Sequence, residues 1–194
     1  VVEERQENWQ VNSPPMRFLA DNERFVWPSD KSGYTHYELR NLDGELINNL
    51  TQGEFQTSTI SVDEKNGLVN FTAYSSLVNP YYLQYHLVGL DGTNQRRVTT
   101  IEAHHSNFSL SPDNQWLIAQ YEEVNTPPCT ALYSTDGKLV AKLAESDPAS
   151  AANLAEMFRF KSSDGTFDIY GILFKPRDFD PNKKYPVINA LYGG

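Results

Sequence analysis

The dipeptide Asp-Gly returns along this chain at a nearly fixed interval, as Asp43-Gly44, Asp91-Gly92 and Asp136-Gly137. Each copy follows an alternating, aromatic-rich run and precedes a short β-forming segment. Other segments fall into the same register. Phe25-Val-Trp-Pro-Ser matches Val69-Asn-Phe-Thr-Ala-Tyr and Leu117-Ile-Ala-Gln-Tyr. Tyr34-Thr-His-Tyr-Glu-Leu matches Tyr82-Leu-Gln-Tyr-His-Leu and Cys129-Thr-Ala-Leu-Tyr, and Leu50-Thr matches Val98-Thr and Leu143-Ala. A β pattern repeating every 40–50 residues, roughly, is the mark of propeller blades. Three blades do not close a propeller, so these repeats are expected to belong to a larger assembly of blades.

Within each repeat the punctuation predicts two hairpins. Repeat one (16–53) turns at Asp21-Asn22 and at Asp43-Gly44, and repeats two and three cover 54–100 and 101–145. Asp-Gly between alternating runs is a strong hairpin signal, and Asn tolerates the positive φ of tight turns. In Ser111-Pro112-Asp113-Asn114, proline presets φ at the second turn position and Asn accepts the left-handed region at the fourth. Along the next strand Trp116, Ile118 and Gln120 alternate with Leu117, Ala119 and Tyr121. Residues 1–15, ending in Ser13-Pro14-Pro15, read as the tail of a preceding element plus a linker.

The pattern breaks at Ser146. Residues 146–156 read as a linker or a short helix over 149–156. A different β pattern fills 157–194, with a turn at Asp164-Gly165 and a nearly continuous apolar run over 185–192. That run predicts a buried strand, and the Gly193-Gly194 after it suits the first functional loop of an α/β enzyme.

The 194 residues carry a net charge of −9 and are 39% hydrophobic. That charge disfavours nucleic acid and anionic membranes as partners. The single cysteine, Cys129, permits no internal disulfide. No Cys/His spacing suits a zinc site, and no cofactor motif occurs. Gly-x-Ser-x-Gly is absent, so no nucleophile elbow lies in the chain.

Several pieces, in order, resemble the dipeptidyl peptidase IV family of prolyl-oligopeptidase-like serine peptidases. They are Phe25-Val-Trp-Pro-Ser-Asp-Lys-Ser-Gly-Tyr, Leu42-Asp-Gly-Glu-Leu-Ile-Asn-Asn-Leu-Thr, Ser109-Leu-Ser-Pro-Asp-Asn-Gln-Trp, Asn125-Thr-Pro-Pro, Lys184-Tyr-Pro-Val and Tyr192-Gly-Gly. The resemblance implies an eight-bladed propeller joined to an α/β-hydrolase domain, of which this chain would hold the last three four-stranded blades and the first hydrolase strands. It implies release of dipeptides from free peptide N-termini, often after proline, by a Ser-His-Asp triad placed after Gly194. It implies that Tyr192 lends its hydroxyl to the oxyanion hole, where a phenol donor meets the charge of the tetrahedral intermediate. Residues 1–194 alone are therefore expected to be inactive. Peptide substrate and self-association are the expected partners, the family often being dimeric. The lone cysteine and the resemblance suggest a parent that is periplasmic, exported or membrane-anchored. The rival reading is a propeller module that only binds, and the switch of pattern over 157–194 argues against it.

Other conspicuous residues read as structural. The family grips the substrate amino terminus with paired glutamates from an earlier blade, whereas Glu122-Glu123 lies in the last repeat and reads as a solvated strand end. Glu3-Glu4 and Asp63-Glu64 read as terminal and turn charge. His36, His86, His104 and His105 read as strand or loop residues. Phe71, Tyr74, Tyr81, Tyr82 and Tyr85 read as an aromatic cluster built by strand packing, with guidance of a peptide as the lesser reading. Cys129 reads as a small buried residue.

Overall fold

The computed structural model describes residues 2–5, 16–147 and 155–191. Every described element is a strand. The repeats form three antiparallel four-stranded sheets, each in sequential order. Sheet one contains β1 (Arg17–Phe18), β2 (Arg24–Ser29), β3 (His36–Asn41) and β4 (Leu46–Asn49). Sheet two contains β5 (Gln56–Asp63), β6 (Leu68–Tyr74), β7 (Leu83–Gly89) and β8 (Arg96–Arg97). Sheet three contains β9 (His104–Leu110), β10 (Trp116–Glu123), β11 (Thr126–Ser134) and β12 (Leu139–Glu145). Three consecutive meanders of four strands are propeller blades.

The turns repeat as faithfully as the strands. Gly44, Gly92 and Gly137 have φ of 87°, 79° and 95°. Their amides donate to the carbonyls of Asn41, Gly89 and Ser134, each three residues back. Glycine is thus the fourth residue of each turn, and the aspartate before it keeps a negative φ. That is a turn followed by a left-handed residue, not the two-residue hairpin that needs two positive φ angles. The first hairpins close in the same way at Asn22, Gly67 and Asn114, with φ of 56°, 61° and 56°. The amide of Asn114 donates to the Ser111 carbonyl at 2.9 Å, as the Ser-Pro-Asp-Asn sequence predicts.

The cores lie between sheets. Leu19, Val26, Tyr37, Leu39 and Leu50 of the first repeat pack with Val62, Val69, Phe71, Ala73, Val88 and Leu90 of the second. Tyr85, Leu87 and Val98 of the second pack with Ala103, Leu117, Ala119, Tyr121, Cys129, Ala131 and Tyr133 of the third. β7 serves both cores because alternate side chains leave opposite faces of a strand. The middle sheet therefore packs an apolar core on each face, and each outer sheet shares one of those cores. On β10, Leu117 and Ala119 are buried while Trp116 and Ile118 are exposed.

A polar clip recurs at the junction of the third and fourth strands. Thr51 Oγ1 accepts from the Tyr37 amide at 2.9 Å and meets His36 Nδ1 at 3.0 Å. In the next repeat Thr99 Oγ1 accepts from the Tyr85 amide at 2.9 Å and donates to Gln84 Oε1 at 2.7 Å. Ala144 stands at the corresponding position of repeat three and has no hydroxyl for this role. On sheet one's opposite face Glu38 and Arg40 pair at 2.5 Å, both buried.

The chain falls into two compact units, the second made of residues 124–126 and the segment from 147 onward. Its described structure is one hairpin, β13 (Ala155–Lys161) with β14 (Asp168–Phe174), in register from Ala155↔Phe174 to Lys161↔Asp168. The turn closes at Gly165, φ 76°. Asp164 accepts from Ser162 Oγ and from both the amide and hydroxyl of Thr166. Those bonds lower its carboxyl to about 2, the Ser162 hydroxyl contributing most.

One expectation fails here. The apolar run at 185–192 forms no strand in its described part, 185–191, where Val187, Ile188 and Leu191 are strongly exposed. A strand exists through its ladder, and no described strand is bonded alongside. The alternative helix over 149–156 lies mostly outside the described residues, and Ala155 and Glu156 begin β13.

Candidate functional site

Antiparallel order sorts the connections of the three-sheet unit between its two ends. The Asp-Gly turns and first-hairpin turns gather at one end. The loops 30–35, 50–55, 75–82 and 98–103 gather at the other, together with the C-terminal end of β10. The Thr57 amide and hydroxyl both reach the Thr35 carbonyl there, and Gln84 Nε2 donates to the Ala103 carbonyl at 2.9 Å.

Glu102 organises the middle of this end. Its Oε2 accepts from Ser76 Oγ at 2.6 Å and from the Leu77 amide at 3.1 Å. Its Oε1 pairs with Arg97 Nη2 at 2.6 Å. Partial burial raises its carboxyl, but the Ser76 hydroxyl and the Arg97 guanidinium outweigh burial and hold it below the usual range. Arg97 Nε also donates to the Thr99 carbonyl at 2.5 Å. Loop 75–82 is further stiffened by Ser76 Oγ, which accepts from the Val78 and Asn79 amides, and by Asn79 Oδ1, which accepts from the Tyr81 amide. From this braced loop project Leu77, Val78 and Tyr81, which are 90%, 55% and 64% exposed.

Beside the loop, Ser75 Oγ and His86 Nε2 lie 2.7 Å apart, the spacing of a nucleophile and its base. The surroundings do not support that chemistry. Among the described residues no hydrogen-bond partner meets His86 Nδ1, so no second polar group orients the imidazole. The ring is stacked on Phe71 and Phe55 at centroid distances of 4.8 and 5.6 Å. Burial, aided by the positive charge of Arg97, lowers its pKa to about 3. A base that weak is far from the neutral range where general bases work, so the pair is structural.

The other histidines are also structural. His36 spans Thr51 Oγ1 and the Gly53 carbonyl. His105 spans the Ala103 carbonyl and the Tyr133 hydroxyl, and burial lowers its pKa to about 4. His104 Nδ1 accepts from the Leu83 amide. A cleft of about 360 Å³ opens beside His36, lined in part by Ser29, Lys31, Glu38, Thr51 and Gln52. Among the described residues, no group of three or more His, Cys, Asp or Glu could hold a metal ion.

Tyr192, the oxyanion-hole candidate, lies outside the described residues. Glu122 and Glu123 are exposed at the end of β10, and Glu123 stands near enough to Tyr82 to help raise its phenol, chiefly shifted by burial. The five aromatics of repeat two do not form one cluster. Phe71 faces the first core and Tyr85 the second, while Tyr74 and Tyr81 are exposed. Cys129 is buried, 2% exposed. Glu4 is not idle terminal charge. It accepts from Trp27 Nε1 at 3.3 Å, Ser29 Oγ at 3.2 Å and the Asp30 amide at 2.7 Å. Glu64 likewise accepts from the Ala20 amide. Neither the Ser76–Glu102 nor the Ser75–His86 contact has a local sequence signal, their partners being 26 and 11 residues apart.

The described strands and turns define part of a β-propeller. The model of the family described as "Dipeptidyl peptidase IV (DPP IV) N-terminal region" matches residues 1–128, and the chain belongs to that family. Dipeptidyl peptidase 4 of Trichophyton equinum is 32% identical over 214 aligned positions, covering all of this chain and 26% of the relative. Human dipeptidyl peptidase 8 is 31% identical over 163, covering 75% of this chain and 18% of the relative. The chain thus spans 26% and 18% of the length of these two relatives. The crystal structure of Porphyromonas gingivalis dipeptidyl peptidase 4 superposes with a TM-score of 0.66 at 19% identity, over 88% of this chain and 24% of that one. That likeness shows a shared fold.

Proposed function

We propose that this chain is the late-propeller part of a serine exopeptidase that releases N-terminal dipeptides, often X-Pro, from peptides. The observation that carries the reading is the family match over 1–128 together with three propeller sheets in unbroken succession. Residues 157–194 would open the α/β-hydrolase domain. The hairpin β13–β14 supports this, being apolar on both faces, with Met157, Phe158, Phe160, Ile169, Ile172 and Leu173 all exposed. Such a hairpin suits burial within a larger sheet. Tyr192 would serve the oxyanion hole, and the parent would be periplasmic, exported or membrane-anchored.

The chain by itself contains no Gly-x-Ser-x-Gly nucleophile elbow. Purified 1–194 is expected to leave an X-Pro chromogenic dipeptide intact. The full-length parent is expected to cleave it and to be stopped by a serine-directed phosphonate. A full-length protein with no such turnover refutes the reading. The 1–194 chain is also expected to self-associate at micromolar concentration. Trp116, Ile118, Val140 and Leu143 of sheet three stand 40–51% exposed and would drive pairing. A monomer by light scattering would refute that.

A further inference from the structure

Loop 75–82 is unusual among the connections of the three-sheet unit. It carries the most exposed aliphatic side chain of that unit, Leu77, with Val78 and Tyr81 close in sequence. It is also tied down along its length. Glu102 holds Ser76 and Leu77, Ser76 Oγ holds Val78 and Asn79, and Asn79 holds Tyr81 by its side chain and Tyr82 by its carbonyl. A braced loop that displays apolar side chains has already met much of the ordering cost of binding.

Charge decides what could sit there. The loops at this end and the end of β10 supply Asp30, Glu54, Glu102, Glu122 and Glu123 against Lys31, while Arg97 of β8 and Lys142 of β12 stand beside them, Lys142 facing Glu145. Arg97 is committed to Glu102. The rest is an acidic surround on a chain whose net charge is −9. At this end the same acidic loops of a second copy, or an anionic lipid surface, would be repelled, and pairing through sheet three would not cover it. A cationic chain that also offers apolar side chains would be drawn in.

We propose that loop 75–82, with Glu122 and Glu123, is a contact surface for peptide substrate that selects apolar and basic residues following the released dipeptide. The inference rests on the peptidase reading and adds a substrate preference to it. Leu77 and Val78 supply apolar contact, Glu102 fixes the loop, and the two glutamates attract Lys or Arg.

The test uses the full-length protein and three substrates: an X-Pro chromogenic dipeptide, a decapeptide beginning X-Pro with Leu and Lys after it, and the same decapeptide with Glu for Lys. The Lys decapeptide is expected to have the lower KM of the two, with the difference shrinking at about 0.5 M salt. Leu77→Ser with Val78→Ser is expected to raise the ratio of decapeptide KM to chromogenic KM about fivefold or more. Glu122→Gln with Glu123→Gln, at exposed positions, is expected to erase the Lys preference. An unchanged KM ratio, or equal KM for the Lys and Glu peptides, overturns the proposal while leaving the peptidase reading intact. If no X-Pro substrate is cleaved, the peptidase reading fails separately. Anisotropy of the labelled Lys decapeptide then decides the surface, with weaker binding by the Leu77 and Val78 variant supporting it and equal binding overturning it. Dimerisation of the wild type that Leu77→Ser abolishes would assign the loop to a second copy and overturn the proposal.

Discussion

Acid should unfold the three-sheet unit by way of two histidines, well before its carboxylates titrate. His86 and His105 are 5% and 0% exposed. Burial holds them neutral, down to about 3 for His86 and about 4 for His105 against an ordinary value of 6.5. In the unfolded chain both protonate near 6.5, so between that pH and their folded values the unfolded state binds more protons. Stability is therefore full above pH 6.5 and falls as pH falls, by about 1.4 kcal/mol per unit for each histidine. From pH 6.5 to 5 each costs about 2 kcal/mol, about 4 kcal/mol together, against the roughly 5–15 kcal/mol that stabilises an ordinary domain. The lowered carboxyls, among them Asp63, Asp91 and Asp113, lose their contribution only below the ordinary carboxyl value of 3.8, so they do not share this window. Urea unfolding followed by tryptophan fluorescence at pH 7.5, 6.5, 5.5 and 5.0 measures the slope. His86→Gln should reduce it by about half, whatever it does to stability at pH 7.5, because the readout is the slope and not the level. A free energy that changes by less than about 1 kcal/mol between pH 7.5 and 5.0 would refute the reasoning.

Thr99→Val keeps the shape of the clip but strands the Tyr85 amide and removes the donor to Gln84. It should cost about 1–3 kcal/mol, read as a lower urea midpoint. Gly92→Ala places a Cβ 2.5 Å from the Asn49 carbonyl oxygen at a φ of +79°, whereas Gly67→Ala at +61° meets open space. Both should lower the melting temperature, Gly67→Ala by the left-handed cost of about 1–2 kcal/mol and Gly92→Ala by clearly more; equal shifts would contradict the close approach. In the full-length parent, Tyr192→Phe should lower kcat about a hundredfold with KM little changed. Wild-type kcat would remove Tyr192 from the oxyanion hole.

The blades were legible because their information is local. Asp-Gly and Asp-Asn sit where a left-handed residue must end a turn, and the alternation on β10 names its buried face one residue at a time. The 185–192 run misled for the opposite reason. Its apolar residues describe a preference for burial in a sheet, and a ladder requires partners that the run does not itself encode. The polar end of the sheets was illegible in a third way. Ser75 and His86, or Ser76 and Glu102, meet across loops, and nothing in either neighbourhood announces the other. Thr51 and Thr99 lie between these cases, since they occupy one repeat position and the alignment of the repeats could have exposed the clip. Glu4 shows the cost of reading a charge by its place in the chain, since its carboxylate is taken up by Trp27, Ser29 and the Asp30 amide.

The double burial of the middle sheet has a consequence in time. Amides exchange with solvent only when their hydrogen bonds open, and the slowest are those whose opening requires the whole unit to come apart. The sheet-one and sheet-three edges can each open while one core survives. β7 cannot, because Leu87 belongs to one core and Val88 to the other. Deuterium should therefore enter β4 and β12 first and β6 and β7 last, so the clock of this unit runs from its flanks inward.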